Sequence, residues 1–156
     1  MIVRKARLKD APIISKVMRD TIKIVNSKDY SADKLNIWLN TNRITKIKER
    51  TKDTNKINFV AVIHNKVVGV ASLYFKEKEL GSLYVKHDTH EKGIGTKLLQ
   101  YVEEYAKKKG LKELKLGSTI TALDFYKNRG YKTTKKKHNV ILQGVRIPCI
   151  LMSKRL

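Results

Sequence analysis

Two stretches of this chain combine residue types that do chemistry with spacings that local structure can present. The first runs from Leu83, Tyr84 and Val85 through a polar loop (Lys86 to Lys92) to Gly93, Ile94, Gly95, Thr96, Lys97 and Leu98. It reads as a strand, a short loop, and two glycines opening an amphipathic helix. Glycines there let backbone approach a ligand, and the unpaired amides of a helix start, with its dipole, favour negative charge. The amides from about Glu91 to Thr96 thus form a phosphate-type site, with Lys92 and Lys97 placed to add charge. A glycine-containing helix start without any ligand fits the same residues. Two common phosphate motifs fail: a dinucleotide fingerprint needs a third glycine where Leu98 stands, and a P-loop needs Gly-Lys-Ser/Thr after an earlier glycine.

The second stretch is Thr119-Ile-Thr-Ala122-Leu-Asp-Phe125-Tyr126-Lys-Asn-Arg-Gly130-Tyr131. On a helix Ala122, Phe125 and Tyr126 fall on one side, so packing alone accounts for one aromatic. Neighbouring side chains point about 100° apart, which puts the second aromatic at the edge of the buried face, where a Tyr hydroxyl can reach a cleft.

Together these segments resemble the GNAT family, the Gcn5-related N-acetyltransferases. The family's cofactor motif, Gln/Arg-x-x-Gly-x-Gly/Ala, is matched by His90-x-x-Gly93-x-Gly95. Its later motif, Asn/Ser-x-x-Ala-x-x-Phe-Tyr-x-x-x-Gly-Phe/Tyr, is matched by Thr119, Ala122, Phe125, Tyr126, Gly130 and Tyr131. The likeness extends from Asp29-Tyr30-Ser31 and Trp38 to the closing Gly144 to Leu156, which look like one bacterial and archaeal branch. Two positions depart from it: His90 stands where Gln or Arg is usual, and Thr119 replaces Asn or Ser, offering one donated hydrogen bond where an amide offers two.

The resemblance implies an α/β GNAT fold, a mixed and mostly antiparallel sheet with one splayed parallel strand pair, Leu80 to Val85 beside Leu111 to Leu116, flanked by helices. It implies acetyl-coenzyme A as co-substrate, without metal, and a primary amine as acceptor. The pantetheine arm lies in the splay, so the implied cofactor-binding set is Leu83, Tyr84, Val85, His90, Glu91, Lys92, Gly93, Ile94, Gly95, Thr96, Lys97 and Phe125. Tyr126 is the implied proton donor to the leaving thiolate, with Thr119 beside it. No cysteine or serine is placed for covalent catalysis, so the amine attacks directly in a ternary complex. Glu79, at the start of the strand facing the cleft, is the nearest carboxylate to serve as base; a solvated strand end is its plainer role. Family habit allows a homodimer.

Other constellations are weaker. His87, Asp88 and His90 lack a fourth metal ligand. Cys149 has no identifiable base and suits a buried structural thiol.

The elements that position these residues follow from periodicity. Met1 to Arg7 reads as a strand, after which Asp10 caps a helix with Pro12 in its first turn and Ile14, Val17, Met18, Thr21 and Val25 on one face. Asn26 to Tyr30 breaks it, and Ser31 caps a shorter helix carrying Leu35, Trp38 and Leu39. Thr41 to Lys56 has no clear period and reads as frayed helix and loop. Ile57 to Ile63 and Val67 to Phe75 form a hairpin around His64, Asn65 and Lys66, and Leu80 to Val85 is a third strand. From Gly93, the residues Ile94, Leu98, Val102 and Ala106 recur every fourth position up to Gly110. Leu111 to Leu116 is a strand, Thr119 to Arg129 a helix, and Tyr131 onward and Arg146 to Met152 are strands.

Composition sets the outer bounds. The chain has 156 residues, 41% of them apolar and 31% charged, enough for one domain spanning 1–156 with its own core. A charged start and the lack of a long apolar run predict a cytoplasmic protein without membrane contact, and a single cysteine fits a reducing compartment. The net charge of +21 raises a second reading, a basic nucleic-acid or ribosome-associated module that keeps the fold without catalysis. Against nucleic acid, 27 of the 35 basic residues are Lys, the excess is shared evenly by both halves, and no RNA-binding or zinc-finger signature accompanies it. Only Lys127 to Lys137 is locally dense.

Overall fold

The computed structural model describes residues 1–89 and 92–156, without the side chains of Lys136 and Lys137. Seven strands form one sheet: β1 (Ile2–Lys5), β2 (Lys56–Ile63), β3 (Lys66–Tyr74), β4 (Glu79–Val85), β5 (Glu113–Ser118), β6 (Lys132–Leu142) and β7 (Val145–Arg155), in the order β1-β2-β3-β4-β5-β7-β6. Neighbours run antiparallel except β4 and β5. A parallel pair needs a crossover, and α4 (Ile94–Lys108) supplies it. The two parallel strands pair only at Glu79 with Lys115 and Leu80 with Leu116. Beyond Leu80 they diverge, and the splay implied by the resemblance is present.

Short-range chemistry explains the antiparallel parts. His64 and Asn65 both take positive φ, 46° and 60°, the geometry of a two-residue turn whose twist suits a hairpin. Gln143 and Gly144 do the same between β6 and β7. Helices α1 (Ala11–Ile24), α2 (Ala32–Thr41) and α3 (Ile44–Thr51) lie before β2, and α5 (Leu123–Lys127) after β5. The sheet is covered on both faces. On one, Leu98, Leu99, Val102 and Ala106 of α4, all fully buried, pack on Phe59, Ala61, Ala71, Leu73, Leu80 and Leu114. On the other, Ile14, Val17 and Met18 of α1 and Ile47 of α3 pack on Val60, Val67 and Val70.

Several local expectations are corrected. The stretch from Thr41 to Lys56 holds a true helix, α3, anchored by the buried Ile47 and by Arg50, whose guanidinium donates to the Thr41 carbonyl and to Asn42 Oδ1. Its only apolar residues are Ile44, which stays exposed, and Ile47, two positions too few to show a period. Lys56 is no loop residue but the buried first residue of β2. The helix expected over Thr119 to Arg129 is only α5, with Thr119 to Ala122 in a turn, and β5 starts at Glu113 rather than Leu111. Asp10 precedes α1, but its carboxylate turns back to the Arg7 amide at 2.6 Å and to the Arg4 guanidinium at 2.7 and 3.0 Å. Ser31 likewise holds the N-cap position of α2 without a side-chain cap bond.

Candidate active site

The fork between β4 and β5 organises the site. Above it α4 opens at Gly93, whose φ of +83° lies in the left-handed region and whose missing Cβ faces open space. Glycine is therefore required there by conformation, and the vacancy leaves the first amides of α4 approachable. The first intrahelical bond is Lys97 N–H to the Gly93 carbonyl, so the amides of Ile94, Gly95 and Thr96 have no partner within the helix. Lys92 and Lys97 are exposed beside them. His90 and Glu91, expected in this site, lie outside the described residues.

Gly95 also packs closely against its own chain. A Cβ there would sit 3.3 Å from Phe125 Cε2 and 3.5 Å from Val85 Cγ2, so the space is filled by protein. Phe125 is pressed between Gly95 and Arg129, whose guanidinium carbon stands 3.8 Å from the ring centroid. That guanidinium also donates to Thr96 Oγ1 at 3.0 and 2.5 Å and to the Phe125 carbonyl at 2.7 Å. Arg129 thereby fastens the end of α5 to the first turn of α4 and adds a cation next to its amides. The sequence reading missed it, although an Arg four residues after Phe125 and just before a glycine is the available signal.

Tyr126 is buried, edge-on to Phe125 at 5.1 Å and to Tyr131 at 5.6 Å. Burial pushes its phenol above the ordinary value, so the group stays protonated. Thr119 is partly committed: its Oγ1 accepts from the Ala122 amide at 3.2 Å, closing the turn before α5. Its hydroxyl proton remains free to donate. Val85, at the end of β4, has its carbonyl held by Thr21 of α1 at 3.1 Å. Leu83 and Val85 face the α4 side, where both pack against the core.

Tyr84 points the other way, towards α1 and α2. Burial holds its phenol above the ordinary range, and Trp38, Tyr126, Arg50 and Tyr30 are the groups that act on it. Tyr30 meets Trp38 edge-on at 5.5 Å and donates to the Pro148 carbonyl at 2.9 Å. Glu79 is on this face too, at the closed end of the fork, with burial and Glu77 raising its carboxyl and His138 opposing. An aromatic cluster of Tyr30, Trp38 and Tyr84, with Glu79 on the same face of the sheet, thus backs onto the fork opposite α4. His87 and Asp88 are exposed, Asp88 pairing with Lys86 at 3.0 Å, and no group able to hold a metal is found among the described residues. Cys149 is buried and its thiol is pushed up by that burial, as a structural cysteine should be.

Residues 26–155 match the family model described as "Acetyltransferase (GNAT) domain". The chain belongs to the GNAT acetyltransferase family. Among solved structures, this GNAT chain is similar to a GCN5-related N-acetyltransferase from Rhodopseudomonas palustris, with a TM-score of 0.87 and 24% identity over 99% of this chain and 95% of that one. It is similar also to the PaiA N-acetyltransferase of Thermoplasma acidophilum in complex with coenzyme A, with a TM-score of 0.82 and 22% identity over 99% and 98% of the two chains. At these identities the likeness is one of fold. Among curated proteins it is 37% identical over 71 residues to the uncharacterized protein YxbD of Bacillus subtilis, a match spanning 44% of this chain and 45% of that protein. In this GNAT chain the structure brings Gly93, Gly95, Thr96, Phe125 and Tyr126 together around the fork, and sets Glu79 at its base. No helix among the described residues is long and apolar enough to cross a membrane.

Proposed function

We propose that residues 1–156 form one N-acetyltransferase domain that moves an acetyl group from acetyl-coenzyme A to a primary amine by direct attack in a ternary complex. The observation that carries this is the divergence of β4 from β5 past Leu80 and Leu116, directly beneath the open Gly93 terminus of α4. The diphosphate rests on the amides of Ile94, Gly95 and Thr96, with Arg129, Lys92 and Lys97 adding charge. The pantetheine arm runs down the fork and pairs with the unzipped edge of β4 along Leu83, Tyr84 and Val85. The acceptor enters from the opposite face, past Trp38, Tyr30 and Tyr84. Its neutral nitrogen attacks the thioester carbonyl, the C–S bond breaks, Tyr126 gives its proton to the departing thiolate, and the proton that the nitrogen sheds on becoming an amide returns to Tyr126 by way of solvent. Burial keeps the phenol protonated, so the group has a proton to give when the thiolate forms. A relative of this fold holds coenzyme A, which supports the cofactor. The acceptor is left open by the fold, because function resides in the site and not in the sheet.

The test is thiol release from acetyl-coenzyme A with a panel of monoamines, polyamines, aminoglycosides, amino acids and a short peptide, alongside melting shifts with coenzyme A and with RNA. Intersecting double-reciprocal lines with an active amine establish the ternary complex. A chain that releases no thiol with any amine of the panel, and whose melting rises with RNA but not with coenzyme A, is the binding module instead.

A further inference from the structure

Lys56, 8% exposed at the start of β2, is a lysine in a setting where charged side chains are seldom left unpaired. Its Nζ donates to Tyr74 Oη at 3.0 Å and lies 4.7 Å from the Tyr74 ring centroid. Strand alternation sets both residues on the α1 and α3 side of the sheet, because Lys56 keeps the parity of Val60, and Tyr74 that of Val70, and those valines pack there. Arg50 of α3 acts on the same Tyr74 hydroxyl, on the Lys56 amine and on Tyr84. Its Nε and Nη2 donate to the Lys46 and Thr41 carbonyls and to Asn42 Oδ1, and none of these bonds uses Nη1. The carboxylates that act on the cluster are Asp53 and Glu79, and among the described residues neither makes an ion pair with Lys56 or Arg50. A guanidinium, an amine and a phenol thus converge as donors with no anion matched to them. Holding like charges together away from bulk water costs free energy, and an arriving anion relieves that cost.

The cluster lies one step below the mouth of the fork. Tyr74 is paired with Glu79 at the closed level, where β4 still holds β5, whereas Ser72 is paired with Ser82 at the level where β4 has left it. Two residues of strand separate these levels, about 7 Å. The Tyr74 ring leans toward the open level, because a Cβ on Gly81 would collide with it, and Ser72 and Ser82 join hydroxyls there at 2.7 Å. Granting the acetyl transfer argued above, on which this rests, we infer that Arg50, Lys56 and Tyr74 hold a carboxylate of the acceptor. The acceptor is then an amino acid whose reacting nitrogen and carboxylate are about 7 Å apart, so that one reaches the fork while the other meets the cluster. The guanidinium and the ammonium give charge-assisted bonds to the carboxylate oxygens, and the phenol adds a neutral donor. Without an anion, burial and then Arg50 lower the Lys56 amine to about 7, against a weaker pull from Asp53. With one, Lys56 keeps its proton and its charge is matched.

The probes are 5-aminopentanoate, which extended spans the two levels, and its uncharged counterpart 5-aminopentanamide. The wild-type chain should favour the acid at least tenfold in kcat/KM at pH 7, mainly through KM. That preference should persist in about 0.5 M salt, since a buried contact is screened little. A preference that disappears there belongs to the general field of the +21 charge and overturns the site. Lys56→Met should cut the acid-to-amide ratio at least tenfold and Tyr74→Phe by about threefold, because the phenol is the weaker donor. An unchanged ratio in Lys56→Met overturns the proposal, and glycine acetylated as well as 5-aminopentanoate overturns the spacing. Binding is read separately with pentanoate, which has no amine to acetylate. With coenzyme A present, pentanoate should raise the melting temperature of the wild-type chain and not that of Lys56→Met, while pentanamide moves neither. A chain inactive on every amine sinks the acetyl-transfer reading, yet pentanoate still decides the anion site: equal shifts with pentanoate and pentanamide, or none with either, overturn it.

Discussion

The two faces of the sheet are built by different rules. The α4 face carries a helix whose buried residues, Ile94, Leu98, Val102 and Ala106, recur every fourth position and form one continuous core with the sheet and with Tyr126 and Tyr131. The opposite face is assembled from three helices, of which α3 contributes a single buried apolar side chain, Ile47, and its interior is lined with Tyr84, Lys56 and Glu79. A face argued to hold one fixed anionic cofactor can be rigid and periodic. The face argued to meet the acceptor trades periodicity for polar groups that need partners, and its helices are held by hydrogen bonds such as Arg50 to Thr41 and Arg19 to the Leu39 carbonyl at 2.7 Å.

Breaking the chemistry where the faces meet should have the largest effect. Tyr126→Phe should lower kcat by roughly 10² to 10⁴ while coenzyme A affinity, read by calorimetry, stays within about twofold. Wild-type kcat in this variant would assign the protonation elsewhere. Next, Leu98→Ala should cost about 2–5 kcal/mol in denaturant unfolding, because a fully buried side chain in the larger core leaves a cavity. Ile47→Ala, at the edge of the smaller core, should fall at the low end of that range and raise the acceptor KM without moving coenzyme A affinity. Equal effects of the two on cofactor and acceptor binding would erase the contrast between the faces.

The two glycines of α4 sharpen it further. Gly93→Val forces a β-branched residue to φ of +83° and fills the open approach, so the dissociation constant of coenzyme A should rise at least tenfold, about 1.4 kcal/mol. Gly95→Ala instead presses on Phe125, and should act first on the melting temperature.

The smallest effect concerns Asp10, which ties β1 to the start of α1. The Arg4 guanidinium holds its carboxyl below the usual carboxylate range, helped by the Arg7 amide. A depressed folded value means the stabilisation is complete above the unfolded value, about 3.9, and is lost as pH falls through the folded one. Asp10→Asn should therefore cost about 1 kcal/mol at pH 7, allowing for the partly exposed Arg4, and the difference from wild type should vanish in strong acid. A pH-independent difference would point to packing rather than charge.

How much of this was legible depended on range. The α4 helix, the His64–Asn65 hairpin and both motifs could be read because each is fixed by neighbours within a few residues, through a period of four, a turn dihedral or a helix start. Helix α3 was not legible, because two apolar residues, Ile44 and Ile47, give no sustained period. Neither was the length of α5, where Thr119 closes a turn instead of extending the helix, nor the place of Lys56, which looks like any surface lysine in a basic chain. That Gly95 also makes room for Phe125 is visible only in the packed structure. The sequence alone thus determined the elements and the family, since local dihedral preference and hydrophobic period act along the chain. Tertiary structure decided which side of the fork each polar group faces, because strand register and burial set the surroundings of Glu79, Tyr74 and Lys56, and those surroundings set their acidity.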